Sequence, residues 1–450
     1  MREKFKLLYI LRISVVAALG GLLFGYDIAI ISGTVPFIED FFKLDATAIG
    51  WAVASAYIGC IIGVTVAGKL TDRYGRKKIL IISAIIFVIS AMGTGLSNSL
   101  FFFVFYRILG GIAVGMASIL SPMYIAEISP AKYRGRFVSL NQLTIVLGLQ
   151  FAYFASYLLV DINEDNWRWM FISEVLPAVL FFVFMFFVPE SPRWLAKKNN
   201  NDKSYKILSK IGGDKFARLE LSQIQESLKN SRKARWKELL RPEIRLIMIT
   251  GIFLAIFQQW SGINVIFFYA PMIFEKTGLA VDAAIAQTVI IGSVNLIFTF
   301  VAIWLVDRIG RKILLLSGSI GMAVCHILIG WAFYTDQLDG FYLLIIMLIC
   351  AASFAATLGP VVWVVLSEIF PNRIRGMAMG VATLCLWAAC FTLTMTFPVL
   401  LKALEGAFTF WIYAGVCVIG FIYILKFVPE TKGKSLEQIE KQLIKLKNNK

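Results

Sequence analysis

Apolar runs of roughly 20 residues, long enough as helix to cross about 30 Å of hydrocarbon, recur along the whole chain between short polar stretches. They fall near 10–33, 46–68, 79–98, 100–124, 136–160 and 168–188, then near 245–270, 284–306, 313–334, 338–366, 377–401 and 407–428. The two sets of six are divided by residues 193–245, a long stretch rich in Lys, Arg, Ser and Asn. The pattern predicts an all-α membrane protein of twelve transmembrane helices. The expected divisions are a six-helix half at 1–192, a cytoplasmic linker with short helices at 193–245, a second six-helix half at 246–428 and a cytoplasmic tail at 429–450. Within the linker, Lys203 to Ile211 carries apolar residues at helical spacing and stops at Gly212-Gly213, and 219–228 repeats the pattern. Pro36, Pro122, Pro271 and Gly359-Pro360 fall in spans one, four, seven and ten and are expected to interrupt them.

The two sets of six also share phrases. Asp72-Arg73-Tyr74-Gly75-Arg76-Lys77 returns as Asp307-Arg308-Ile309-Gly310-Arg311-Lys312. Glu127-Ile128-Ser129-Pro130 with Arg134-Gly135 returns as Glu368-Ile369-Phe370-Pro371 with Arg375-Gly376, and Pro189-Glu190-Ser191 as Pro429-Glu430-Thr431. Three motifs in one order at nearly one offset are an internal duplication. Duplicated membrane halves are how transporters build a site that opens to either side.

Composition agrees: 59% hydrophobic and 16% charged residues, with mean hydropathy +0.77, leave too little polar surface to coat a soluble globule of 450 residues. The net charge of +16 raises the question of a polyanionic partner, and its distribution answers it. The outer loops hold only Lys43, Arg168, Lys276 and Lys402, Arg107 lies inside a span, and the other Lys and Arg residues fall on the side of both termini and the linker. That is the positive-inside asymmetry of a multi-pass protein of the inner (plasma) membrane with both termini cytoplasmic, embedded in lipid and binding no nucleic acid. The N-terminus runs directly into a span, so no cleavable signal peptide is expected. The six cysteines lie within spans without CxxC spacing and read as packing residues, as does the lone His326.

Asp27 and Arg107 sit in otherwise apolar spans, and each would cost several kcal/mol if left alone in hydrocarbon. They are expected to pair inside the bundle, where a change in their separation would load or release a proton. Side-chain amides that can both donate to and accept from the hydroxyl groups of a ligand cluster at Asn141-Gln142, Gln258-Gln259, Asn264 and Asn295. Trp363 and Trp387 could supply flat walls for the C–H face of a sugar ring. Asp72, Arg73, Glu127 and Arg134 in the first half, with Asp307, Arg311, Glu368 and Arg375 in the second, can pair across span ends as a cytoplasmic gating network, to which the repeated Glu190 belongs. There is no Walker loop, metal-ligand cluster or nucleophile elbow. Neither enzyme activity, a catalytic residue, a metal nor a cofactor is expected, and transport must draw on gradients.

Over nearly the whole chain these phrases resemble the sugar porter family of the major facilitator superfamily. Those that carry the likeness are Gly20-Gly21-Leu22-Leu23-Phe24-Gly25-Tyr26-Asp27, Gly68 to Arg76, Pro189 to Leu195, Gln258-Gln259, Gly262-Ile263-Asn264 and Pro429 to Gly433. Within the family the chain is most similar to the bacterial xylose/proton symporters, themselves similar to facilitative glucose transporters. The resemblance implies sugar contacts at Gln142, Gln258, Gln259, Asn264, Asn295 and Trp363, with Phe24 and Trp387 lining the pocket. It implies proton coupling by Asp27 with Arg107, and places Glu174 at a position linked to coupling and conformational change. Leu386, Cys390 and Phe268 depart from the xylose pattern by removing polar groups, which leaves the sugar open. The expectation is a monomeric, proton-coupled monosaccharide symporter working by alternating access. A facilitative uniporter, a non-transporting sugar sensor and a drug/proton antiporter are the competing readings.

Overall fold

A computed structural model describes residues 5–230, 236–336, 340–371 and 374–432. Twelve helices among them are long and apolar enough to cross a membrane. The first six are Leu7–Phe42, Ala46–Tyr74, Arg76–Gly95, Leu100–Ile128, Arg134–Leu159 and Asn166–Phe186. The second six are Ile244–Phe268, Val281–Val306, Arg311–Tyr334, Gly340–Ile369, Arg375–Ala403 and Glu405–Phe427. Large apolar side chains such as Phe101, Leu158 and Leu176 stand exposed on these helices, as lipid-facing residues do. The duplicated phrase forms the same sharp turn twice. Gly75 at φ 97° and Gly310 at φ 108° join spans two to three and eight to nine, in a backbone region where a side chain would be strained.

Helix interruptions differ from expectation at two of four places. Pro36 and Pro122 lie inside unbroken helices, because one missing N–H in the interior of a long ladder bends a helix without ending it. Span seven breaks at Ser261-Gly262, with Gly262 left-handed at φ 88°, and again at Tyr269 just before Pro271, and span ten breaks at Thr357, just before Gly359-Pro360. Span six carries an unforeseen interruption at Glu174, three residues before Pro177. Freed carbonyls find other donors. Pro271 cannot donate to the carbonyl of Phe267, and the Tyr153 hydroxyl donates to it instead at 2.6 Å. Pro398 leaves the carbonyl of Thr394, and the Tyr269 hydroxyl fills that place at 2.8 Å.

By compactness the chain forms two units. The first comprises Met1–Ile28, Ile58–Ala152 and Arg168–Lys233. Its helices cross backbone to backbone: a side chain at Gly59 or Gly63 would strike the carbonyls of Ile108 or Ile112, and one at Gly115 the carbonyl of Cys60. Spans one and five meet in the same way, Gly25 on the Ile145 carbonyl and Gly148 on the Leu22 carbonyl. The linker helix Asn201–Asn230 bends at Gly213 (φ 82°), and Phe5 packs edge-on against Phe216 and Tyr133. The second unit comprises Ala29–Tyr57, Tyr153–Trp167 and Ala234–Lys450. Within it Gly50 rests on the Met395 carbonyl, Trp51 meets Phe391 and Tyr57 stacks on Trp387.

Candidate substrate and proton site

The first unit holds a fully buried charge cluster. Asp27, Arg107 and Glu174 are each 1% exposed. Arg107 NH1 donates to Asp27 Oδ1 at 3.0 Å and to the Asp27 carbonyl at 3.1 Å, and its guanidinium lies over Phe171. Glu174 lies beside Asp27, close enough that each carboxyl feels the other's charge and that of Arg107. Gly110 leaves room for the Asp27 carboxylate, since a side chain there would meet Asp27 Oδ1 at 3.0 Å. Arg107 Nε has no hydrogen-bond partner among the described residues, and the carboxyls of Asp27 and Glu174 lie within hydrogen-bond reach of each other once one of them carries a proton. Two carboxyls and one guanidinium, shielded from water, are charge-balanced only with one proton aboard. Phe24 and Gln142 of the same unit are half-buried, and Asn141 is buried.

The second unit holds the other amides as a relay. Gln258 Nε2 donates to the carbonyls of Leu358 (3.0 Å) and Gly359 (2.8 Å) at the break of span ten. Gln259 Nε2 donates to Gln258 Oε1 at 3.2 Å, and Asn264 Nδ2 to Gln259 Oε1 at 2.6 Å. Asn264 Nδ2 also reaches the Cys390 thiol at 3.2 Å. The break at Ser261-Gly262 brings Asn264 back beside Gln259, and His326 Nε2 bonds the Ser261 carbonyl exposed there at 2.7 Å. Asn295 is buried and Trp363 half-buried, both outside this relay among its described bonds. Trp387 is only 4% exposed beneath Tyr57.

At the turn after span two a carboxylate clamp is built, and it is built again after span eight. Glu127 takes a bidentate pair from Arg76, Nε at 2.9 Å and NH2 at 2.8 Å, plus the Ser191 hydroxyl at 2.5 Å. Glu190 accepts the backbone amides of Arg76 (3.0 Å), Lys77 (3.2 Å) and Ser191 (2.8 Å). In the second copy Glu368 accepts from Arg311 (3.1 Å) and the Thr431 hydroxyl (2.6 Å), while Glu430 accepts the amides of Arg311 and Lys312, both at 3.0 Å. Burial pushes Glu190 above the usual carboxylate range, against the opposing pull of those amides and of Arg76. Glu430 is also pushed up by burial, but the amides of Lys432, Arg311, Lys312 and Thr431 outweigh it and hold the group below that range. Asp72 pairs with Lys197 at 2.9 Å on the surface, and Arg73 stacks on Tyr74. Arg134 and Arg375 bond the carbonyls of Ala126 and Phe370. The side chain of Asp307 lies outside the described residues, as does the tail beyond residue 432.

The profile of the family described as Sugar (and other) transporter matches residues 13–443. The chain belongs to the sugar transporter family. The transporter is 43% identical to the D-xylose-proton symporter of Escherichia coli K12, over 98% of this chain and 97% of that one. It is 40% identical to the arabinose-proton symporter of Bacillus subtilis, over 97% and 96%. A solved structure of the E. coli xylose transporter in an inward-open conformation is similar with TM-score 0.85 at 41% identity, covering 96% of this chain and 99% of that one. The fold is thus the twelve-helix major facilitator architecture in two six-helix halves, and the protein is a membrane transporter rather than an enzyme.

Some of the transporter's polar positions were not singled out from sequence. Arg76 rather than its neighbours meets Glu127, because four cations in six residues leave open which one points inward. Ser191 and Thr431 cap the carboxylates of both clamps, a role their repetition beside Glu190 and Glu430 could have signalled. Cys390, read as a packing residue, accepts the Asn264 amide.

Proposed function

We propose that the protein is a proton-coupled symporter that imports a monosaccharide, a pentose or hexose, by alternating access. It works as a monomer in the inner (plasma) membrane with both termini in the cytoplasm. The observation that carries this reading is the buried Asp27–Arg107–Glu174 cluster, which cannot be neutral without binding a proton. Asp27 and Glu174 hold that proton at Asp27 Oδ2 or Glu174 Oε1, and Arg107 stabilises the carboxylate once it leaves. The similarity to xylose and arabinose symporters supports both the sugar and the proton.

Gln258, Gln259 and Asn264, with Gln142 and Asn295, bind the sugar, and Phe24, Trp363 and Trp387 bound its apolar faces. The relay satisfies the amides of Gln258, Gln259 and Asn264 among themselves when no sugar is bound, and sugar hydroxyls replace its bonds. The cytoplasmic residues Asp72, Arg73, Glu127, Arg134, Glu190, Asp307, Arg311, Glu368 and Arg375 act as a gating network. Clamps intact in one conformation and open in another bias the equilibrium between them.

The test is uptake of D-xylose, L-arabinose and D-glucose into proteoliposomes with an inward proton gradient. At least one sugar accumulates uphill, a protonophore abolishes the accumulation, and Asp27→Asn retains exchange but not accumulation. Accumulation that survives collapse of both the pH difference and the voltage removes the coupling assignment.

A further inference from the structure

We infer that Tyr57 is the size filter of the sugar site, its ring occupying the face of Trp387 against which a larger substrate would stack. The inference rests on the sugar reading above and adds a residue to it. Tyr57 and Trp387 stack with centroids 5.8 Å apart and planes 25° from parallel, and Phe268 meets Tyr57 from another side at 6.3 Å. Both stacked residues are almost wholly buried, Tyr57 at 2% and Trp387 at 4% exposure, so no sugar ring lies flat on that indole face while Tyr57 is in place. The Tyr57 hydroxyl is within hydrogen-bond reach of the Cys390 thiol, the same thiol that takes the Asn264 amide. The cap is therefore joined to the relay that reads hydroxyl groups.

Its position is also fixed from behind. Gly50 and Tyr57 are seven residues apart, two turns along one face of span two. At Gly50 that face lies directly on the Met395 carbonyl of span eleven, Trp51 meets Phe391 between them, and Tyr57 lands on Trp387 one crossing further along. In this conformation the Gly50 backbone lies on the Met395 carbonyl, which holds span two, and with it the phenol ring, against span eleven. The limit falls on what projects beyond the sugar ring: a hexose pyranose carries a hydroxymethyl group that a pentose lacks, and an ether on that group projects further. Trimming Tyr57 makes room for it.

The experiment measures affinities of D-xylose, D-glucose and 6-O-methyl-D-glucose for the purified full chain by calorimetry, in wild type, Tyr57→Phe, Tyr57→Leu and Tyr57→Ala. In wild type affinity falls with the size of the substituent. Tyr57→Leu and Tyr57→Ala shift the ratio of 6-O-methyl-D-glucose to D-xylose affinity by at least about tenfold toward the larger sugar, the scale of one methylene-sized change in a pocket. Tyr57→Phe keeps the wild-type ranking, because the ring remains. An unchanged ratio in folded Tyr57→Leu overturns the filter, as does an equal loss for all three sugars or a change of ranking in Tyr57→Phe. If Tyr57→Ala does not fold, Tyr57→Leu, closer in volume, decides alone. Binding of none of the three sugars by wild type instead strikes the sugar reading itself, and the filter falls with it.

Discussion

At the scale of single residues, the decisive property is that Arg107 is one buried cation paired with Asp27 and close to a second buried acid, Glu174. Arg107→Leu leaves Asp27 and Glu174 facing each other in apolar surroundings, and breaking such a pair from one side costs about 3–5 kcal/mol. The expected outcome is a large drop in melting temperature, with Asp27→Asn/Arg107→Leu less damaged than Arg107→Leu alone; equal melting of all three would show the pair to be energetically idle. Gln259 sits mid-relay, accepting from Asn264 and donating to Gln258. Gln259→Ala removes both partners at once and is expected to weaken sugar binding by roughly tenfold or more, from about 1–3 kcal/mol per unmade bond in a dry site. Titration of sugar against the purified variant checks this.

The pairing of Asp27 with Arg107 was legible in the sequence because two lone charges in hydrocarbon have few alternatives. Tyr57 was not, since one tyrosine among 15 in a chain with 37 phenylalanines carries no mark of its neighbour. Glu174 entered only through family resemblance. The sequence signal that could have exposed it is its own: an ionisable residue in the run Phe171-Ile172-Ser173-Glu174-Val175-Leu176.

At the scale of helices, hydropathy alone located the twelve spans, because crossing hydrocarbon demands length and apolarity regardless of neighbours. Where a helix breaks was less legible. Proline removes one rung wherever it falls, but whether the helix ends depends on what lies around the freed carbonyl, and a linear sequence does not display that. Pro36 and Pro122 lie within continuous helices, whereas span seven breaks both at Tyr269, beside Pro271, and at Gly262, whose left-handed backbone no proline pattern announces.

Helix crossings give a sharper expectation. Gly148 lies on the Leu22 carbonyl, so Gly148→Ala must push spans one and five apart and is expected to destabilise by about 1–3 kcal/mol. Gly415 has nothing within 4 Å of where a side chain would start, so Gly415→Ala is the neutral control. Thermal unfolding of the pair in one detergent decides the matter, and equal melting would mean that the crossing is loose.

For the whole molecule, the duplication means that one clamp is built twice with different exposure. As pH falls, Glu190, raised by burial, takes up its proton first and stops serving as a charged acceptor for the amides of Arg76 and Lys77. Glu430, held low by amides, keeps its charge further into acid. The linkage signs are opposite. Glu190 subtracts from stability as pH rises from the ordinary carboxylate value through its raised one; Glu430 contributes stability above the ordinary value and loses it as pH falls through its lowered one. Hydrogen exchange should show the amides of Arg76 and Lys77 losing protection at a higher pH than those of Arg311 and Lys312, and coincident midpoints would refute the asymmetry.

Tyr153 on Phe267 and Tyr269 on Thr394 are fastenings of a different kind from a helix ladder. A phenol can unhook from its carbonyl while every rung above and below stays shut. Each of these two positions therefore depends on a single donor that projects from a neighbouring strut. Rigid rods with detachable pins can swing repeatedly without ever unwinding.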